Sequence, residues 1–323
     1  MAMVEGGSDA LSNASTDQNS NDASQELDER ISQLGEDDVE VDLTHARLKE
    51  IPEALRRLKC VQVLVLRRNL IRDLQPLSVL TTLKELDVYD NEVKTIQGLE
   101  TLSSLTVLDL SFNHIGHVQG LDCLGNLSKL FLIQNKLTKM EGFSSLSQLT
   151  MLELGSNKIK EIDGLDALVN LESLFLGKNR ISKLKNLDKL TKLRLLSIQS
   201  NCITVMEGLD CLVALEELYL SHNGVEEIRG LDKNVNLQTL DLAGNRIRRI
   251  ANVSHLTKLE EFWFNDNKVD NWADMELLSP IATLKTVYFE GNPVAKDPQY
   301  RRKVKMVLPT LRQIDATLAT RTA

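Results

Sequence analysis

From Val61 onward the apolar positions of the chain keep one spacing, LxxLxLxxNxI, and the polar residue set within it is asparagine. The asparagines are Asn69, Asn91, Asn113, Asn135, Asn157, Asn179, Asn201, Asn223, Asn245 and Asn267, 22 residues apart at every step. A weaker unit, VEVDLTHARL, precedes them with Ala46 in the asparagine position, and a longer one, LKTVYFEGNPV, follows after a 25-residue step to Asn292. Within LTVLDLSFNHI, the residues Leu105, Leu108, Leu110 and Ile115 form an apolar set that one unit cannot bury alone. Stacking on neighbouring units buries it. The xLxL part of each unit then becomes a short strand of a continuous parallel sheet, alternating between core and water.

This periodicity is that of the leucine-rich repeat. It predicts an α/β leucine-rich-repeat solenoid, a curved right-handed superhelix with the parallel sheet on its concave face and short 3₁₀ turns on its convex face. Eleven or twelve strands at ~4.8 Å give a sheet roughly 50 Å long. Each asparagine is expected inside, satisfying turn backbone groups that no ladder reaches. Gly98, Gly120, Gly142, Gly164, Gly208 and Gly230 recur at one place, with Asn186 and Asn252 filling two of its slots. Both residue types tolerate left-handed backbone angles. Terminal repeats need covers. The polar first unit is expected to close one end. DPQYRRKVKMVLPTLRQIDATL reads as a helical cap for the other, with Tyr300, Val304 and Val307 or Leu308 on its apolar stripe.

Charge changes the picture only at the N-terminus. The net charge is −8, but residues 1–38 carry ten Asp/Glu against one Arg, so the remainder is close to neutral. The expected organisation is therefore an acidic disordered tail over 1–38, a solenoid over 39–297 and a cap over 298–323. A short helix around ASQELDERISQLG is compatible with the tail's sequence. The N-terminus has no basic start followed by an apolar run, and no segment approaches the roughly 18–20 apolar residues that span a bilayer, so an intracellular protein without a membrane anchor is expected.

Because the leucines face inward, the residues between them face the hollow. The middle one of each strand reads Val65, Asp87, Asp109, Phe131, Glu153, Phe175, Ser197, Tyr219, Asp241, Trp263 and Tyr288. Five of the chain's thirteen aromatics stand in these eleven positions, where proportional scatter would put fewer than one. Phe131, Phe175, Tyr219 and Trp263 occupy every second repeat, with Glu153 and Asp241 between them and Ser197 breaking the alternation. Rings ~9.6 Å apart cannot stack on one another and leave gaps for a partner's side chains. Flanking rows add Met151, Leu195 and Ile133 on the apolar side and Glu85, Glu217, Glu261 and Glu290 on the acidic side. Strands do favour aromatics, but that does not gather a sparse residue type into one water-facing column. Anchors rimmed by carboxylates suit a protein partner with a basic, partly apolar surface.

Other chemistries fit poorly. A nucleic-acid partner calls for Lys and Arg where this column has Asp and Glu, and Arg246, Arg248 and Arg249 read as a solvated edge. The histidines His45, His114, His117, His222 and His255 show no ligand or triad spacing, and no phosphate loop or nucleophile elbow is present. Cys60, Cys123, Cys202 and Cys211 lack paired CxxC spacing. Cys123 and Cys211 lie four repeats apart, roughly 19 Å against a limit of about 7 Å for a disulfide. No metal, cofactor or catalytic activity is expected.

The 22-residue units LDLSFNHI, LFLIQNKL, LELGSNKI, LFLGKNRI, LYLSHNGV and FWFNDNKV, in this order, resemble the leucine-rich-repeat regulators of type-one serine/threonine protein phosphatase, over about residues 40–323. The resemblance implies a non-catalytic subunit of nucleus and cytoplasm that holds the phosphatase catalytic subunit on its concave face, with room for a third inhibitor or scaffold protein. The family's contact positions fall on Asp109, Phe131, Glu153, Phe175, Asp241, Glu261, Trp263 and Tyr288; Tyr219 joins them on geometry alone. KTVYF, Lys285–Phe289, fits the short docking motif of other phosphatase regulators on paper. Its Val287 and Phe289 fall on core positions, so docking through it would require unfolding. The competing readings are a scaffold for cytoskeletal or axonemal assembly and a ribonucleoprotein component.

Overall fold

The computed structural model describes residue 29 and residues 31–319. Its fourteen strands form a single sheet in strict chain order. β1 (Glu40–Asp42) pairs in parallel with β2 (Val63–Val65), and nine further strands follow at 22-residue intervals from β3 (Glu85–Asp87) to β11 (Glu261–Trp263). β12 (Thr286–Tyr288) and β13 (Gln313–Ile314) continue the parallel order, and β14 (Thr317–Leu318) turns back antiparallel. Each strand up to β12 is three residues long, its centre buried and its first residue facing the hollow. In-register pairing stacks Leu86, Leu108, Leu130, Leu152 and Leu174 as one column, each at most 1% exposed.

The asparagines occupy the position expected of them. Asn157 Oδ1 accepts the N–H of Leu137 at 3.0 Å, and its Nδ2 donates to the carbonyls of Leu132, Leu154 and Gly155 at 2.9, 3.0 and 3.2 Å. The same pattern runs from Asn69 to Asn267, and Asn292 keeps it across the longer step. One amide per repeat thus ties each turn to the one before it, satisfying groups whose burial unpaired would cost about 1–3 kcal/mol each. Gly142 shows why the glycine column exists: its φ is +80°, and a Cβ there would lie 2.4 Å from the Val118 carbonyl oxygen.

On the convex side each repeat makes successive i→i+3 bonds, such as Leu102 N–H to Leu99 O and Leu105 N–H to Leu102 O, both 3.0 Å. These tight turns lengthen into 3₁₀ helices at Glu53–Arg57 and Gln75–Val79. The long step contains α1 (Ala273–Glu276), whose Asp274 is 1% exposed. Arg249 is exposed, as a solvated edge residue should be, but it also has a partner. Its Nε and Nη2 donate to Asp274 at 2.8–2.9 Å, and the Ile250 N–H donates to the same carboxylate, so the cation neutralises a buried acid.

The apolar core is covered at both ends. The apolar average of residues 1–38 hides a useful pair: Ile31 is buried and Leu34 packs against the core, while Arg57 Nη2 donates to the carbonyls of Ile31 and Leu34 at 2.6 and 2.9 Å. Glu29 and residues 31–33 are helical, so part of the segment read as a tail lies against the first repeat; residues 1–28 fall outside the described residues. At the other end α2 (Tyr300–Val307) buries Tyr300 and Val304, followed by buried Leu308, with Val307 half-buried. Asp315 accepts the N–H groups of Phe289 and Glu290 and the Tyr300 hydroxyl, closing the last turn as asparagine closes the others. All four cysteines are free, and Cys60, Cys123 and Cys202 are exposed. Among the described residues no helix is long and apolar enough to cross a membrane, and no cluster of His, Cys, Asp or Glu has the grouping of a metal site.

Candidate functional site

A strand with its leucine inward has its neighbours on the opposite face, and β-pairing brings those neighbours into line. From Asp87 to Tyr288 the last residues of the strands are consecutive backbone partners: Asp109 with Phe131, Phe131 with Glu153, Glu153 with Phe175, Tyr219 with Asp241, Asp241 with Trp263, Trp263 with Tyr288. All nine sequence-selected residues therefore lie on one surface, with Glu261 at the start of the Trp263 strand. The rings are half-buried and Trp263 is 38% exposed, whereas Phe262 and Phe264 on either side of it are 0% exposed. Ser197, between Phe175 and Tyr219, is buried and bonds to Gln199.

The carboxylates are held by their own strands. Asp109 Oδ1 accepts the Ser111 N–H at 2.8 Å, Glu153 Oε1 the Gly155 N–H at 3.0 Å, and Asp241 Oδ1 the Ala243 N–H at 3.0 Å. None of the three is in a salt bridge among the described residues, although Asp87 further along the row pairs with Arg67. Burial raises the pKa of Asp109 and of Asp241 against the lowering effect of those hydrogen bonds. For Glu153, set between Phe131 and Phe175, burial prevails and pushes the carboxyl up to about 7. An acid desolvated by flanking rings and lacking a cation is poised to accept one.

Two glycines that no turn requires make room on this face, Gly155 for Glu153 and Gly177 for Gln199. A Cβ on Gly155 would sit 2.7 Å from Glu153 Oε1, and one on Gly177 would sit 2.8 Å from Gln199 Nε2. The floor beside Phe131 and Phe175 is thus backbone. Towards the other end, glutamates orient the rings: the Tyr219 hydroxyl donates to Glu217 at 2.6 Å, and Trp263 Nε1 donates to Glu261 at 3.2 Å. Burial, reinforced by Glu217, holds the Tyr219 phenol protonated. Tyr288 stacks on Trp263 with centroids 4.8 Å apart and planes at 19°, and its hydroxyl accepts a bond from Gln313.

Two aromatics on the rim were not selected from sequence. Tyr89 and Phe112 lie 4.8 Å apart, Arg67 stands 5.4 Å over Tyr89, and Phe112 is 40% exposed. Tyr89 is two residues beyond Asp87 and so shares its face; reading only the middle residue of each strand passed over it. With these two, every aromatic outside the core and the C-terminal cap lies on the hollow or its edge, because Phe143, Phe262, Phe264 and Phe289 are core and Trp272 packs on Tyr300. The histidines His114 and His117 are exposed, and His117 meets Glu141 on the surface. Val287 and Phe289 of the KTVYF segment are 0% exposed, which leaves that motif no docking role in the folded protein.

The chain is a leucine-rich-repeat solenoid with an aromatic and acidic concave surface. Sequence families described as leucine-rich repeat match residues 214–320, 147–189 and 169–225. Among named proteins, it is similar to protein phosphatase 1 regulatory subunit 7 of Xenopus tropicalis, 59% identical over 49 residues, and of Homo sapiens, 55% identical over 49 residues. Protein phosphatase 1 regulatory subunit SDS22 of Schizosaccharomyces pombe is 56% identical over 48 residues. These alignments cover 14–15% of this chain and 14% of the length of each relative, a shorter stretch than the resemblance over residues 40–323 read from the units. Among solved structures, an internalin (inlF) of Listeria monocytogenes superposes with a TM-score of 0.71 at 21% identity, covering 92% of this chain and 95% of its own. The functional domain of InlJ from the same organism gives 0.70 at 21%, covering 86% and 62%. At that identity the likeness is one of fold.

Proposed function

We propose that this protein is a non-catalytic regulatory subunit whose concave surface binds the catalytic subunit of a type-one serine/threonine protein phosphatase, in nucleus and cytoplasm. The observation that carries the reading is the row of rings and carboxylates from Asp109 to Tyr288, interrupted only at Ser197, in which Asp109, Glu153 and Asp241 form no salt bridge among the described residues. The names of the aligned relatives supply the partner. In this reading Phe131, Phe175, Tyr219, Trp263 and Tyr288 enter apolar depressions of the enzyme, and Asp109, Glu153, Asp241 and Glu261 receive Lys or Arg at the rim of each. Buried aromatic anchors supply most of the affinity, while the acids fix register and speed encounter. Wrapping a rigid arc around the enzyme controls its maturation, activity or targeting without contributing a group to its chemistry.

The test is a crosslinking map of the recombinant catalytic subunit mixed with this protein. The expected contacts run along the concave residues from Asp109 to Tyr288. Crosslinks confined to the convex turns, or retention of only cytoskeletal proteins from a cytosolic extract, would replace this reading with the scaffold alternative.

A further inference from the structure

The C-terminal cap carries a second surface of opposite charge. A groove of about 780 Å³ runs between α2 and the β13–β14 hairpin, and its lining includes Arg301, Arg302, Lys305, Met306 and Leu318 but no carboxylate. Arg301 is committed to the fold: it donates to the carbonyls of Ile314 and Thr317 and lies 3.8 Å from Asp315. Lys305 caps the carbonyls of Pro309 and Leu311, which leaves its charge without a carboxylate. Arg302 is exposed and makes no hydrogen bond or ion pair among the described residues. Met306 and Leu318 are 72% and 70% exposed, well above the 38–50% of the other exposed large apolar residues.

Beside this groove the sheet ends. Among the described residues β14 pairs only with β13, and the bond from Ala319 N–H to Arg312 O marks the hydrogen-bonded pair next to Leu318 and Gln313. Antiparallel pairs alternate, so Leu318 belongs to a pair that exchanges no ladder bonds and turns its N–H and C=O to the open side. At the opposite end residues 31–38 lie over the first repeat; among the described residues nothing lies over β14. An open edge is a template for another strand.

We propose that this edge and groove dock an extended acidic segment of a partner protein, added as a strand on β14. Alternate apolar side chains cover Met306 and Leu318, and the carboxylates between or beside them reach Arg302 and Lys305. A second copy of this chain fits less well, because edge-to-edge pairing would bring two uncompensated cationic grooves together. The concave surface selects a basic partner and the cap an acidic one, so both can be engaged at once.

The test uses the full chain and a fluorescein-labelled octapeptide alternating Val with Glu, followed by fluorescence anisotropy at low salt. Saturable binding is expected, weakened roughly tenfold or more by Arg302→Glu or by Arg302→Glu with Lys305→Glu, as loss of charge-assisted contacts implies. N-methylation of alternate peptide nitrogens should weaken it similarly by blocking strand pairing, and Trp263→Ala should leave it unchanged. Because Arg302 holds nothing in the fold, the single variant separates binding from folding. Absence of binding, equal binding of a Val/Lys octapeptide, indifference to N-methylation, or a concentration-dependent dimer abolished by Leu318→Pro would overturn the proposal.

Discussion

Along every strand two kinds of position alternate, and they follow different rules. Leu152, Leu174 and Leu196 repeat one residue at 0% exposure, while the residues one step further, Glu153, Phe175 and Ser197, change with each repeat. The interior is uniform because each unit must match its neighbours, and stability in such arrays is close to a sum of unit and interface contributions. No such constraint acts on the hollow. Its order of rings and acids therefore carries information that packing does not demand.

Substitutions on the two sides should separate stability from binding. The largest effect is expected inside: Asn157→Ala strands the Leu137 N–H and removes the donor to three carbonyls, costing roughly 3 kcal/mol by the usual cost of unpaired buried groups. Chemical denaturation should show the loss, with affinity for the phosphatase retained wherever the protein stays folded. Across the strand, Trp263→Ala should cost about 2 kcal/mol of binding. That variant should lower the denaturation midpoint much less than Asn157→Ala, since Trp263 is 38% exposed and held by its indole N–H bond and its stack on Tyr288.

Glu153 tests the hollow by titration. Its folded pKa, about 7, lies above the 4.5 of the free side chain, so the fold favours the protonated form. That contribution is fully present below about pH 4.5 and is lost as pH rises through about 7, where ionising the buried carboxyl costs free energy. Glu153→Gln should therefore stabilise the free protein at pH 8, by at most about 3 kcal/mol, and change it much less at pH 5. A partner's cation requires the ionised form, so phosphatase binding should weaken as pH falls below about 7, and the Gln variant should lose that dependence.

The smallest effect is a gain. Asn234 takes the interior position that Leu124, Leu168 and Leu212 hold in other repeats, is 0% exposed and has an unpartnered Oδ1. Its Nδ2 donates to the carbonyls of Leu209 and Leu212, which also accept the N–H groups of Leu212 and Leu215, so Asn234→Leu leaves both paired and should raise stability by about 1 kcal/mol in denaturant titration, with binding unaffected. On this account a departure from the repeat inside the stack weakens it, whereas departures in the hollow make up the proposed binding surface.

Much of this was legible in the chain. The 22-residue asparagine series forced the stack, and the period of two placed Trp263 outside while Phe262 and Phe264 went in. What escaped was set by contacts between rows rather than along one. Glu217 and Glu261 appeared as rim charges, and only side-chain geometry shows them holding Tyr219 and Trp263. Tyr89 with Phe112, and the room that Gly155 leaves for Glu153, depend on neighbouring repeats meeting across the sheet. The ion pair of the solvated Arg249 escaped because its partner Asp274 lies 25 residues away in the irregular step. Ile31 and Leu34 were masked by the acidic residues around them.

The most direct measurement is the dissociation constant of the phosphatase catalytic subunit for the wild-type protein and for the combined Phe131→Ala, Phe175→Ala and Trp263→Ala variant, with thermal melting recorded on both. Melting close to wild type with affinity lowered by roughly a hundredfold or more is the predicted result, as expected when several buried anchors are removed together. Equal affinity in a folded variant would contradict the concave surface as the binding site.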